Sequence, residues 1–173
     1  MSEGKNPMID VKIDKVVINI GVGEGGERLR KAQRVLELLT GHKPVITLGK
    51  TTNRDLGVRK GMPIGTKVTL RGKDAEEFLD KALWVVEYKI LKYSFDKEGN
   101  FSFGIKDYTE FKDMKYDPDI GIFGMDIAVH LIKPGYRVSR RRRARAKIPR
   151  HHRVTVEEAV EFFKKKYNVE VIE

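Results

Sequence analysis

Three short patterns in this chain have the residue types and spacing that chemistry needs. Gly21-x-Gly23-x-x-Gly26 has the letters of a dinucleotide-binding turn, in which glycines let backbone N–H groups approach a pyrophosphate. That chemistry also needs an acid at the end of the next strand, about 20 residues on, to hold a ribose. Pro44-Val-Ile-Thr-Leu-Gly-Lys supplies none, and no repeated βαβ pattern follows, although Lys50 or Arg54 would suit a 2′-phosphate. An NADP-dependent oxidoreductase is thus the enzyme alternative, and a tight turn packing a strand against a helix is preferred. Gly49-Lys50-Thr51 ends like a phosphate loop, but Pro44 stands where its first glycine belongs. His151-His152 has ligand atoms but no obvious third partner, and the arginines around it repel a cation. The pair reads as imidazoles near an anion. Asp117-Pro-Asp119 reads as a turn. With no Ser/His/Asp arrangement and no cysteine, thiolate catalysis, disulfides and Cys-based metal sites are excluded. No catalytic residue, metal or cofactor is expected.

The charged residues carry more information. The chain has 173 residues, 35 Lys+Arg against 25 Asp+Glu, and a net charge of +10. Ten basic residues fall between His130 and Arg153 with no acid among them, so that segment holds the whole excess. A second zone, 43–73, has eight Lys/Arg against Asp55 alone. Acids collect instead at 74–80 and 107–119. This asymmetry is the footprint of a polyanion binder. Four consecutive arginines, Arg140 to Arg143, repel one another and stabilise nothing without a partner, so the arm is expected to order on meeting RNA. No apolar run approaches the roughly 18 residues of a membrane helix, and the first residues lack a signal-peptide core. A cytosolic protein with no membrane partner is expected.

The elements that must position these charges follow from periodicity. Residues 11–20 alternate as a strand, and 27–40 carry Leu29, Ala32, Leu36 and Leu39 on a helical stripe that Gly41 stops. A short strand at 45–49 precedes a polar loop at 50–62. Residues 64–72 form the clearest strand, with Ile64, Thr66, Val68 and Leu70 on one face. Asp74 and Glu77 resemble a capping box for a helix carrying Leu79, Ala82, Leu83, Val86 and Ile90. Residues 96–100 suggest a hairpin turn between two aromatic segments. Residues 122–132 form a strand with Met125, Ile127, Val129 and Leu131 inward, and Thr155-Val-Glu-Glu caps a last helix. The expected fold class is α+β: one domain over 1–173, mostly antiparallel, with helices on one face and the other face open.

Setting the strands side by side collects Lys15, Asn19, Thr47, Lys67, Thr69, Arg71, Asp126 and His130 on the open face. It is polar, net basic and free of aromatics. A sheet that binds single-stranded RNA stacks bases on aromatic side chains, so this face suits phosphates and 2′-hydroxyls of a structured RNA instead. Lys67 and Arg71 would neutralise phosphates. Asn19 and Thr69 would bond sugars or base edges. Asp126 would accept from a 2′-OH or an amino group, or position Arg71.

Several ordered stretches resemble one family. They are Lys15-Val-Val-Ile-Asn-Ile-Gly-Val-Gly-Glu, Thr40-Gly-His-Lys-Pro-Val-Ile-Thr, Arg59-Lys-Gly-Met-Pro-Ile-Gly-Thr-Lys-Val-Thr-Leu-Arg-Gly, Gly99-Asn-Phe-Ser-Phe-Gly and Gly124-Met-Asp-Ile. Together they resemble the universal large-subunit ribosomal protein family that binds 5S rRNA, protein five of its series. Glu157-Glu-Ala and Phe163-Lys-Lys-Lys-Tyr resemble its archaeal form. The resemblance covers nearly the whole chain. It implies a structural, non-enzymatic protein of the central protuberance, with 5S rRNA, 23S rRNA and neighbouring ribosomal proteins as partners. Asn19, Thr69, Arg71 and Asp126 sit in the family's motifs and carry over as 5S rRNA contacts. His42 stands where bacterial members have Gln. With the open face, the expected rRNA-binding set is Lys15, Asn19, His42, Lys43, Thr47, Lys67, Thr69, Arg71, Asp126, Arg140, Arg141, Arg142, Arg143 and Arg145. The loop at 50–62 corresponds to one that reaches the elbow of P-site tRNA, through Lys50, Thr51, Asn53, Arg54, Arg59 and Lys60. The 96–119 region lies where the family bridges to a protein of the small-subunit head. A general RNA-binding chaperone remains the alternative from the binding class.

Overall fold

The computed structural model describes residues 6–172. Its centre is a five-stranded antiparallel sheet in the order β2-β3-β1-β6-β5, built from β1 (Lys12–Gly21), β2 (Val45–Leu48), β3 (Pro63–Leu70), β5 (Phe101–Ile105) and β6 (Met125–Ile132). The alternation in the sequence becomes two different faces. Val16, Ile18, Ile20, Val68, Leu70, Ile127, Val129 and Leu131 are buried on one side, each contributing roughly 1.5–3 kcal/mol of transfer free energy as an upper bound. Against them pack α1 (Glu27–Thr40) through Ala32, Val35 and Leu36, and α2 (Lys73–Val85) through Ala75, Phe78, Leu79, Ala82 and Leu83. Gly41 ends α1 in the left-handed region at φ 67, where its N–H donates to the Glu37 carbonyl. The short helix α3 spans Arg137–Arg140. The last helix, α4 (Val156–Tyr167), starts on a complete capping box: Thr155 accepts from the Glu158 N–H and Glu158 accepts from the Thr155 N–H. Its Phe163 meets Phe101 edge-on at 4.7 Å, which fixes α4 to β5.

Three expectations fail locally. Asp74 does not cap α2. That helix begins two residues earlier, at Lys73 after Gly72 and with no side-chain cap, so Asp74 lies inside the first turn and its carboxylate meets His42 Nε2 at 3.0 Å. The helix also stops at Val85, because Glu87 and Tyr88 both take positive φ. Ile90 is buried, but in strand β4 (Lys89–Leu91) rather than on a helix. The aromatic hairpin shrinks to one bridge, Phe95 to Phe101, closed by Asp96 N–H to Asn100 O. β4 instead pairs in parallel with β7 (Glu170–Ile172) as a separate two-stranded sheet.

Candidate nucleic-acid interface

Strand register sets the open face residue by residue. Opposed residues share a face, so Val45, Lys67, Asn19, Asp126 and Gly104 form one row across all five strands. Thr69, Val17, Ala128 and Ser102 form the next. Lys15 opposes His130 in a third, and Thr47 opposes Gly65 at the β2 edge. Lys67, Thr69 and Asp126 are exposed. No Phe, Tyr or Trp lies in these rows. A hollow of about 300 Å³ opens on this face, lined in part by Lys15, Val17, Ser102, Ala128 and His130. The sheet therefore brings Lys15, Asn19, Thr47, Lys67, Thr69 and Asp126 together as the alternation predicts.

Arg71 follows β3 and is organised by a residue that periodicity did not single out. Between Ile13 and Lys15 the register of β1 against β6 shifts, and Asp14 occupies the bulge. Its carboxylate accepts two hydrogen bonds from Arg140, Nη1 to Oδ1 at 3.0 Å and Nη2 to Oδ2 at 2.8 Å. Arg71 Nη1 donates to Oδ1 at 3.4 Å, and His130 Nδ1 lies 3.2 Å from Oδ2. The Arg140 hydrogen bond, acting against burial, holds the Asp14 carboxyl below its ordinary value, so Asp14 is anionic near neutrality. The acid that positions Arg71 is thus Asp14 and not Asp126. Its signal was weak: a β-bulge shows only in the pairing of two strands far apart in sequence.

The basic arm is more constrained than like-charge repulsion suggests. Lys133 is buried, with Nζ 2.7 Å from Glu158 Oε1 and 3.3 Å from the Arg153 carbonyl. His152 Nε2 lies 2.7 Å from the Pro134 carbonyl, and Arg153 pairs with Glu98. These contacts close the loop at its root, and Arg140 on Asp14 holds it midway. The expectation that the arm orders only on RNA therefore fails at the root and at Arg140. Residues 141–149 have no regular structure. Arg141 Nε donates to the Ala144 carbonyl, whereas Arg142, Arg143 and Arg145 are exposed.

The loop at 50–62 is shaped by its backbone. Gly49 N–H donates to Met62 O, Gly61 N–H to Gly49 O, and Asn53 and Val58 form an antiparallel bridge. Lys50, Thr51, Asn53, Arg54, Arg59 and Lys60 all project from it exposed. Lys43 is exposed too, and His42, in the connection before β2 and so outside the strand rows, meets Asp74. The Gly21–Gly26 turn is tied by Val22 and Gly23 N–H groups to the Ile64 carbonyl, a structural use of those amides. His152 is spent on Pro134. Among the described residues no group of three His, Asp or Glu could hold a metal ion, and no helix is long and apolar enough to cross a membrane.

A sheet packed by helices on one side, and polar, net basic and non-aromatic on the other, defines an α+β binding protein whose surface suits a polyanion. Comparison with known proteins gives the particular family. Residues 6–59 match the family model described as ribosomal protein L5, and residues 63–165 match the model for the C-terminus of that same ribosomal family. The large ribosomal subunit protein uL5 of Sulfurisphaera tokodaii is 57% identical over 169 residues, covering 97% of this chain and 96% of that protein. The protein of the same name from Thermoplasma acidophilum is 60% identical over 168 residues, with 96% and 99% covered. That of Methanococcus vannielii is 53% identical over 171, with 97% and 94% covered. The chain belongs to the ribosomal protein L5 family and is a structural constituent of the large ribosomal subunit, not an enzyme. Its place is the cytoplasmic ribosome, as the sequence led one to expect.

Proposed function

We propose that the chain binds 5S rRNA through the open face of its sheet and links it to 23S rRNA in the central protuberance. The single observation that carries this reading is the registered row Lys67–Asn19–Asp126 with Thr69 and Arg71 beside it. It offers cations, amide, hydroxyl and carboxylate in strand rows without Phe, Tyr or Trp, a set suited to the shallow groove of a folded RNA. Arg140 borders that face beside Arg71, and Arg141, Arg142, Arg143 and Arg145 extend it toward a second RNA segment. The exposed cations of the 50–62 loop reach P-site tRNA, and the 96–119 region meets a protein of the small-subunit head across the intersubunit bridge.

Binding of the purified protein to 5S rRNA and to a length-matched scrambled RNA, over a salt series, tests the reading. Selective binding that survives moderate salt is expected. Equal binding with a steep salt slope would leave a general polyanion binder. Arg71→Ala should weaken the 5S rRNA complex by about 1–3 kcal/mol. Trimming residues 50–62 should leave 5S rRNA affinity nearly intact while reducing crosslinking to tRNA, and a large loss of 5S affinity would remove the loop's assignment.

A further inference from the structure

We propose that Asp14 is the positioning residue of this RNA surface: it docks Arg140 of the arm beside Arg71 of the sheet, so that two guanidiniums grip one stretch of RNA backbone together. This rests on the RNA-binding reading above. The side chain of Asp14 is 9% exposed, whereas those of Arg71 and Arg140 are 57% and 46% exposed. The carboxylate therefore lies beneath its cations. Oδ1 receives both arginines, and Oδ2 receives Arg140 with His130 alongside. Two guanidinium cations lie against one carboxylate, so the cluster keeps a net positive charge with which to attract a phosphate. Each guanidinium is a planar fork of five donors. Arg140 spends both nitrogens at the tip of its fork on Asp14 and Arg71 spends one, which leaves Arg140 its Nε and outer hydrogens, and Arg71 most of its donors, for another acceptor. A fork already pinned by one acid loses less rotamer freedom when an oxyanion arrives at its remaining donors.

The alternative is that Asp14 competes with RNA for the arginines. The two roles predict opposite signs. By Coulomb's law alone, removing a negative charge beside a polyanion tightens binding. If Asp14 positions the pair, removing it loosens binding although the net charge rises.

The test uses the full-length chain with 5S rRNA and scrambled RNA as probes. Asp14→Asn should weaken 5S rRNA binding about tenfold and leave the scrambled RNA unchanged or slightly tighter. Asp14→Asn with Arg140→Ala should lose clearly less than the sum of the two single losses, because Asp14 acts through Arg140 as well as through Arg71. Unchanged or tighter 5S binding by Asp14→Asn, or additive losses, overturns the proposal. In the free protein, trypsin should cut residues 140–145 faster in Asp14→Asn than in wild type while cutting 50–62 at the same rate, and equal cutting of the arm overturns the docking. If wild type shows no preference for 5S rRNA, the functional reading fails by itself, and the trypsin comparison still decides whether Asp14 docks the arm. If Asp14→Asn does not fold, Arg140→Lys keeps the charge without the fork. A severalfold loss in 5S affinity is then expected, and wild-type affinity overturns the proposal.

Discussion

The two basic projections of this molecule are built by different means. The 50–62 loop is held by main-chain hydrogen bonds across its neck, and among the described residues none of its four cations pairs with a carboxylate. The 133–153 arm is held by side-chain ions at Glu158, Glu98 and Asp14. A loop shaped by backbone leaves every cation mobile on its stem, which suits a partner that comes and goes. An arm shaped by acids fixes selected cations in direction, which suits a partner that stays. Like charge in a sequence therefore does not imply like presentation.

The contrast can be broken from either side. Glu158→Ala should have the largest effect. It removes half of a capping box and leaves the buried Lys133 ammonium with only the Arg153 carbonyl. A stability loss of about 2–3 kcal/mol is expected, discounted for the partial exposure of Glu158. Urea denaturation measures it, and a loss near zero would mean that the ion does not hold the arm's root. Gly49→Ala attacks the loop. A Cβ there would sit 2.8 Å from the Arg59 carbonyl oxygen, a main-chain atom. About 1–2 kcal/mol of destabilisation is expected, with faster hydrogen exchange at Gly61 N–H and no change in the arm. Exchange that also rises in the arm would show the two projections to be coupled.

The smallest effect is a pH dependence. Burial pushes His130 below its ordinary value of 6.5, with Lys15 and Arg140 adding to the push and Asp14 pulling upward. The folded state thus favours the neutral ring. That stabilisation is fully present above about pH 6.5 and is lost as pH falls through the depressed folded value. Melting temperature should drop more between about pH 7 and pH 5 in wild type than in His130→Asn. Parallel curves would remove His130 from the acid response.

The sheet was legible because one buried face imposes a period of two. Val16, Ile18 and Ile20 could not serve the core in any other register. Helix α1 and the Thr155 cap were legible because stripe, stop and box are local. The residues that escaped depend on distant pairing. Strand β7 is three residues long and exists only against β4, so periodicity has nothing to measure. Asp74 looked like a cap because the true cap, two residues earlier, is a glycine with no side-chain signal. In the candidate interface, Lys67, Thr69 and Asn19 followed from alternation. Asp14 did not, since a bulge is a property of two strands. The His42–Asp74 contact joins residues 32 apart in sequence and had no local signal.

The order of strands also governs how the chain comes into being. β1 lies in the middle of the sheet, yet one of its neighbours, β6, is made long after it: Lys12 pairs with Ile132. A nascent chain can zip β1 to β3 early, but the other edge of β1 then stands bare while the chain grows from Leu70 to Met125. Closing so large a loop is entropically slow, and a naked apolar edge is a template for other chains. The hazardous period in this protein's life is thus its birth, when it must be shielded by a chaperone or finished quickly.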